Sequence, residues 1–182
     1  MKKYAQIIDH ETKLCNVGIG TNTDFYKSIG MELLDVEQAY NGQWYLQGYA
    51  PLKPFDELKA EKLEALTTYA GQFDQYKCDD MYVTSSIGGY KFNADIRSQT
   101  NMQGLIDVLA DDATTLYKDY DNEFRTMTKA DLAALKSECL QNGQYLYQQK
   151  WTLQTKINAC TSKEELDAIE IKFEMLEFNH AD

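Results

Sequence analysis

Along the first fifty residues apolar and polar positions alternate in short stretches with a period of two. "KKYAQIID" and "KLCNVGIG" read as two strands joined by the polar "HET" of residues 10–12, a hairpin arrangement. "TNTDFYKSIG" reads as a short helix, with Asn22 or Thr23 before it and Gly30 after it. "LLDVEQAYNG" is expected to be a second short helix stopped by Asn41-Gly42, and "QWYLQGYAP" returns to strand alternation. Both prolines of the chain, Pro51 and Pro54, follow within four positions of each other and mark a linker.

Beyond the prolines the period changes. Leu58, Leu63, Leu66, Tyr69 and Phe73 fall at helical spacing and predict a helix connecting the two halves. In "MYVTSSIGGYKFNAD", apolar pairs flank Gly88-Gly89, a two-residue hairpin signal because glycine takes φ > 0 at no steric cost. "SQTNMQGLIDVLADDATTLY" then predicts a helix, and "DYDNEFRTM" an acidic connector or short strand. Thr128 with Asp131 forms a capping-box pattern ahead of a long helix. On that helix Leu132, Cys139, Leu146, Leu153 and Cys160 recur every seven residues, while Asn142, Gln149 and Lys156 take positions that a coiled-coil seam would keep apolar. Ser162 with Glu165 caps a further helix expected to carry Leu166, Ile169, Phe173 and Leu176. The expected fold class is therefore α+β. A small strand-rich N-terminal unit (1–50) precedes a linker and connecting helix (51–80). A β-hairpin and a mainly helical half with a long helical hairpin (81–182) complete the chain.

Composition narrows the function classes. The 29 acidic and 18 basic residues leave a net charge of −11, which repels nucleic acid and anionic membrane surfaces and attracts basic proteins. No apolar run approaches the roughly 20 residues of a membrane span, and "MKKYAQIIDHETK" has no apolar signal-peptide core, so the expected location is the cytoplasm. Cys15, Cys78, Cys139 and Cys160 are far apart and lack paired spacing, which fits reduced structural thiols rather than a metal site. His10 and His180 have no catalytic neighbours in sequence. Ser85 and Ser86 lack a nucleophile-elbow frame, and "GIGTNTD" matches no phosphate-binding loop. No catalytic residue, metal site or cofactor is expected.

Two acidic clusters remain. Asp107, Asp111, Asp112, Asp119, Asp121 and Glu123 are opposed locally only by Lys118. Glu164, Glu165, Asp167, Glu170, Glu174, Glu177 and Asp182 form a second group, which reads as a solvated helix face. Of the first group, Asp111, Asp112, Asp119, Asp121 and Glu123 are the expected partner contacts. Thirteen tyrosines, with "YLYQQKW" among their settings, suit interfaces and cores alike.

The pieces "GGYKFNADIRSQTNMQGL", "TKADLAAL", "YLYQQKW" and "INACTSKEELDAI" resemble a domain of unknown function found in bacteriophage tail-fibre and tail-assembly proteins, from about Tyr82 to Phe178. "YAQIID" and "VEQAYNGQWYLQGYAP" resemble the start segments of small proteins from phages of gut Firmicutes. The resemblance implies phage origin and supplies no catalytic residues. In it "NADIRSQ" is a structural corner, with Asp95 bonding amides at a helix start and Arg97 pairing with a carboxylate. In length, acidity and phage character the chain is also similar to anti-CRISPR inhibitors of the type II RNA-guided nuclease. That similarity implies a non-catalytic protein in the cytoplasm of the host bacterium, bound to a basic nucleic-acid-binding surface. A tail-fibre accessory or assembly protein is the alternative.

Overall fold

The computed structural model describes residues 2–178. The fold is α+β and divides into two compact units between Leu58 and Lys59.

The first unit is built on a five-stranded antiparallel sheet. Its strands are β1 (Lys2–Asp9), β2 (Leu14–Gly20), β3 (Glu32–Leu33), β4 (Val36–Gln38) and β5 (Trp44–Leu46), in the order β3-β1-β2-β5-β4. The β1–β2 hairpin forms as its alternation predicts, and the Asp9 carboxylate accepts from the Glu11 amide and the Thr12 hydroxyl to close the turn. Ala5, Cys15 and Val36 are buried, with Ile7, Val17, Leu34, Trp44 and Leu46 packed against them. Helix α1 (Thr23–Ser28), capped by Asn22, lays the Tyr26 ring on Tyr4 with centroids 4.5 Å apart. The glycines of "GIG" make room for that ring, since a Cβ at Gly18 would stand 2.3 Å from Tyr26.

The second unit contains most of helix α2 (Phe55–Gly71) and two separate hairpins, β6 (Tyr82–Thr84) with β7 (Lys91–Asn93) and β8 (Thr114–Lys118) with β9 (Phe124–Thr128). Helix α3 (Ile96–Val108) links the hairpins, and α4 (Lys129–Ala159) runs for 31 residues before the short α5 (Lys163–Asp167). Gly88 and Gly89 both take positive φ, at 62° and 68°, as their hairpin turn requires. Val83, Phe92, Met102, Met127, Leu132 and Leu135 are essentially fully buried in this unit, and so is Ile157 near the far end of α4. Both halves of the Thr128–Asp131 capping box are present at the start of α4.

Three stretches depart from expectation. "LLDVEQAYNG" is not helical. Val36 and Gln38 pair with Leu46 and Trp44, so Asn41-Gly42 turns a hairpin instead of stopping a helix, with Gly42 at φ 80°. The helix predicted over residues 98–117 ends at Val108, and Thr114–Lys118 becomes a strand because its β-branched start finds a partner in Phe124–Thr128. The chain after α5 is extended and forms no helical hairpin with α4. Ile169, Ile171, Phe173 and Met175 alternate with the exposed Glu170, Lys172 and Glu174, so this stretch, which shares Ile169 and Phe173 with the expected helical stripe, also satisfies a period of two.

Candidate functional site

The β8–β9 hairpin carries the acidic residues singled out by charge. Its tip is organised by Asp119, whose side chain is only 2% exposed. The Asp119 carboxylate accepts from the Glu123 amide at 2.8 Å and from Arg125 at 2.8 Å (Nε) and 2.7 Å (the guanidinium terminus). Burial pushes this carboxyl up, but the Arg125 and amide hydrogen bonds outweigh burial and hold it below its usual value. Asn122 supplies the left-handed residue of the turn at φ 67°. The Arg125 guanidinium stacks 3.8 Å from the Tyr90 ring centroid, and the Tyr120 amide donates to the Lys91 carbonyl at 2.9 Å. The tip of one hairpin is thereby fastened to the other.

Strand pairing sorts the side chains onto two faces. Tyr117 and Met127 point inward, with the Tyr117 hydroxyl donating weakly to the Ser98 carbonyl at 3.4 Å. Burial pushes the Tyr117 phenol up to about 12, helped by Cys139 and Asp95, so it stays protonated. Leu116 and Phe124 point outward, each 64% exposed, with the Lys118 ammonium 5.7 Å from the Phe124 ring. Asp111 and Asp112 lie ahead of β8, and Asp121 and Glu123 lie in the turn between β8 and β9. The outer face therefore carries Leu116, Phe124 and Lys118, with Asp111 and Asp112 ahead of it in the chain and Asp121 and Glu123 in its turn.

The five expected contacts do not share one role. Asp112, Asp121 and Glu123 are exposed. Asp111 is exposed too, though Lys129 pairs with it at 3.0 Å. Asp119 is removed from any contact surface, because its charge is consumed in fixing the turn. In the second cluster Glu165 accepts from the Thr161 amide and Lys163 pairs with Asp167, while Glu170, Glu174 and Glu177 are exposed. His180 and Asp182 lie outside the described residues.

The corner after β7 behaves as the resemblance implies at Asp95 and differently at Arg97. Asp95 caps α3, accepting from the Arg97 and Ser98 amides at 2.9 and 3.0 Å. Arg97 is exposed and has no carboxylate partner among the described residues. Sequence reasoning missed the polar ties along α4. Glu138, 6% exposed, accepts from the Ser85 hydroxyl at 2.5 Å, the Ser86 amide at 3.1 Å and the Ser86 hydroxyl. This anchors the Gly-Gly turn to the long helix, and it accounts for two serines that have no nucleophile frame. Burial, with the charges of Glu138 and Asp95, pushes the adjacent Cys139 thiol up to about 12, which keeps it unreactive. Gln149 brackets Glu174, donating to its carbonyl at 2.7 Å and accepting from its amide at 2.8 Å, and Asn142 accepts from the Leu176 amide at 2.8 Å. The available signal was the break in the apolar heptads, since Asn142 and Gln149 sit one heptad apart.

All four cysteines are free, and among the described residues no three His, Cys, Asp or Glu side chains converge as metal ligands would. No helix of the described residues is long and apolar enough to cross a membrane. Residues 57–171, more than half of the chain, match the family described as a domain of unknown function (DUF4376), and the chain belongs to that family. The span includes both hairpins, α3, α4 and α5. No curated protein and no solved structure matches the chain.

Proposed function

We propose that this chain is a phage-encoded, non-catalytic binding protein that acts in the host cytoplasm by occupying the cationic surface of a nucleic-acid-processing defence enzyme. The type II CRISPR nuclease is the first candidate target. The observation that carries the reading is the outer face of β8–β9, which exposes Leu116 and Phe124, with Asp111 and Asp112 ahead of it in the chain and Asp121 and Glu123 in its turn. An apolar centre with a charged rim is the usual anatomy of a protein interface. The fastening of the tip through Asp119, Arg125 and Tyr90 reduces the ordering cost of binding. The net charge of −11 steers such a face toward basic proteins and away from nucleic acid itself. Phage origin rests on the sequence resemblances given above.

A second reading, a tail-fibre accessory or assembly protein, is favoured by one separate feature. On α4 Trp151 stacks on Tyr147 with centroids 5.9 Å apart and remains 53% exposed, a flat aromatic surface fit to dock on a fibre.

A DNA-cleavage assay with the nuclease tests the first reading, with the protein added before or after guide RNA and complex formation followed on a sizing column. Inhibition and co-migration at low salt are expected, weakened by high salt and lost on reversing charge together at Asp112, Asp121 and Glu123. Neither inhibition nor co-migration at low salt removes this target and makes a tail-fibre protein the next bait.

A further inference from the structure

Helix α4 turns to solvent a face whose composition differs from the rest of this acidic chain. From Ala130 to Thr155 its exposed residues are alanine, serine, leucine, glutamine, threonine and tryptophan, while Asp131, Lys136, Glu138 and Lys150 are half-buried or buried. Helix α2 is the contrast, with Asp56, Glu57, Glu61 and Glu64 all exposed. Charged residues are what a solvated helix carries outward, and what the centre of a protein interface lacks. In a chain of net charge −11, an uncharged face about 37 Å long is the signature of a surface that becomes covered.

Two large apolar side chains stand on this face, Leu140 at 51% and Trp151 at 53% exposure. Eleven residues make close to three helical turns, so the two point the same way, about 16 Å apart. Each borders a hollow. Ser137, Leu140, Gln141 and Gln144 line one, and Gln148, Trp151, Thr152 and Thr155 line the other. Both sets have the spacing i, i+3, i+4, i+7, the four-residue hole that receives one side chain of a facing helix.

The pattern is self-complementary. A second copy turned end for end about a two-fold axis between Gln144 and Gln148 sets its Trp151 over the hollow at Leu140. The same rotation sets its Leu140 over the hollow at Trp151. Gln144 of one copy then faces Gln148 of the other near the axis, where each side-chain amide both donates and accepts. A two-fold interface uses one patch twice, and two strongly acidic chains approach most easily where that patch is uncharged.

We propose that the exposed face of α4 is the contact of a homodimer, a second copy of this chain packing antiparallel on it with Leu140 of each against Trp151 of the other. The contact is one helix wide, smaller than an obligate interface, so dimerisation depends on concentration. It draws on no residue of β8–β9 and stands independently of the nuclease reading.

Sedimentation of the full chain over a concentration series, at low and at high salt, tests the proposal. A monomer–dimer equilibrium is expected, tighter at high salt because screening reduces the repulsion between acidic chains. That is opposite in sign to the salt dependence expected of the nuclease contact, so the two readings fail separately. Leu140→Lys and Trp151→Glu change exposed positions, and each should weaken the dimer about ten-fold or more. Mixing the two variants should restore a heterodimer, in which the new charges meet each other and the remaining Leu140 and Trp151 keep their pairing. A dimer untouched by either variant, or a mixture no tighter than the variants alone, overturns the proposal. So does a chain that stays monomeric at every concentration and salt, which would leave Trp151 to a fibre partner.

Discussion

The two hairpins of the second unit are both antiparallel pairs, yet they use their faces in opposite ways. In β6–β7 the facing residues Val83 and Phe92 are wholly buried, and Glu138 holds the turn against α4. In β8–β9 the buried side falls to Tyr117 and Met127, which leaves Leu116 and Phe124 in solvent. The first hairpin is part of the core. The second is attached to it by one face and its tip, and displays the other. An apolar face left mostly in solvent contributes little to folding and is free to serve a partner.

That contrast can be broken most sharply at Phe92. Phe92→Ala should cost about 3–5 kcal/mol, the range for emptying a packed aromatic site, measured by denaturant unfolding. A loss under about 1 kcal/mol, the size of an ordinary surface change, would put β6–β7 outside the core.

The hairpin tips sharpen it next. Asp119 is ionised in the folded state, with its carboxyl held below the usual value of 3.8. A depressed folded value means its stabilisation is complete above the usual value and is lost as pH falls through the lower, folded one. Melting temperature followed against pH should therefore drop on the acid side. Asp119→Asn should be less stable near neutrality and flatten that drop; an unchanged acid limb would mean the Arg125 pair contributes nothing.

The smallest stability effect is expected on the displayed face. Leu116→Ser with Phe124→Ser should change stability by no more than about 0.5 kcal/mol each, as for other exposed substitutions. Partner binding should nonetheless be lost in a pull-down with the nuclease. Large destabilisation there would mean that the outer face belongs to the fold.

What the sequence by itself determined are the features whose causes lie within a few residues. The Thr128–Asp131 box, the Ser162 cap and the Gly88-Gly89 turn were legible, and Asn22 was one of two candidates with Thr23, because these devices act within a few neighbouring residues, while the Asp95 corner came with the family resemblance. The acidic clustering of the candidate surface was equally visible as a local excess of charge. Only the tertiary structure separated Asp119, consumed by Arg125, from Asp121 and Glu123 beside it, and put Leu116 and Phe124 together on one exposed face. Only pairing with β5 made a hairpin of Val36–Gln38, and the side chains of Asn142 and Gln149, with the Thr84 carbonyl, gave the extended residues after α5 hydrogen-bond partners. In both places the apolar spacing fits helix and strand alike. The choice falls to whichever form satisfies its backbone amides against residues distant in sequence, and a linear pattern does not contain those partners.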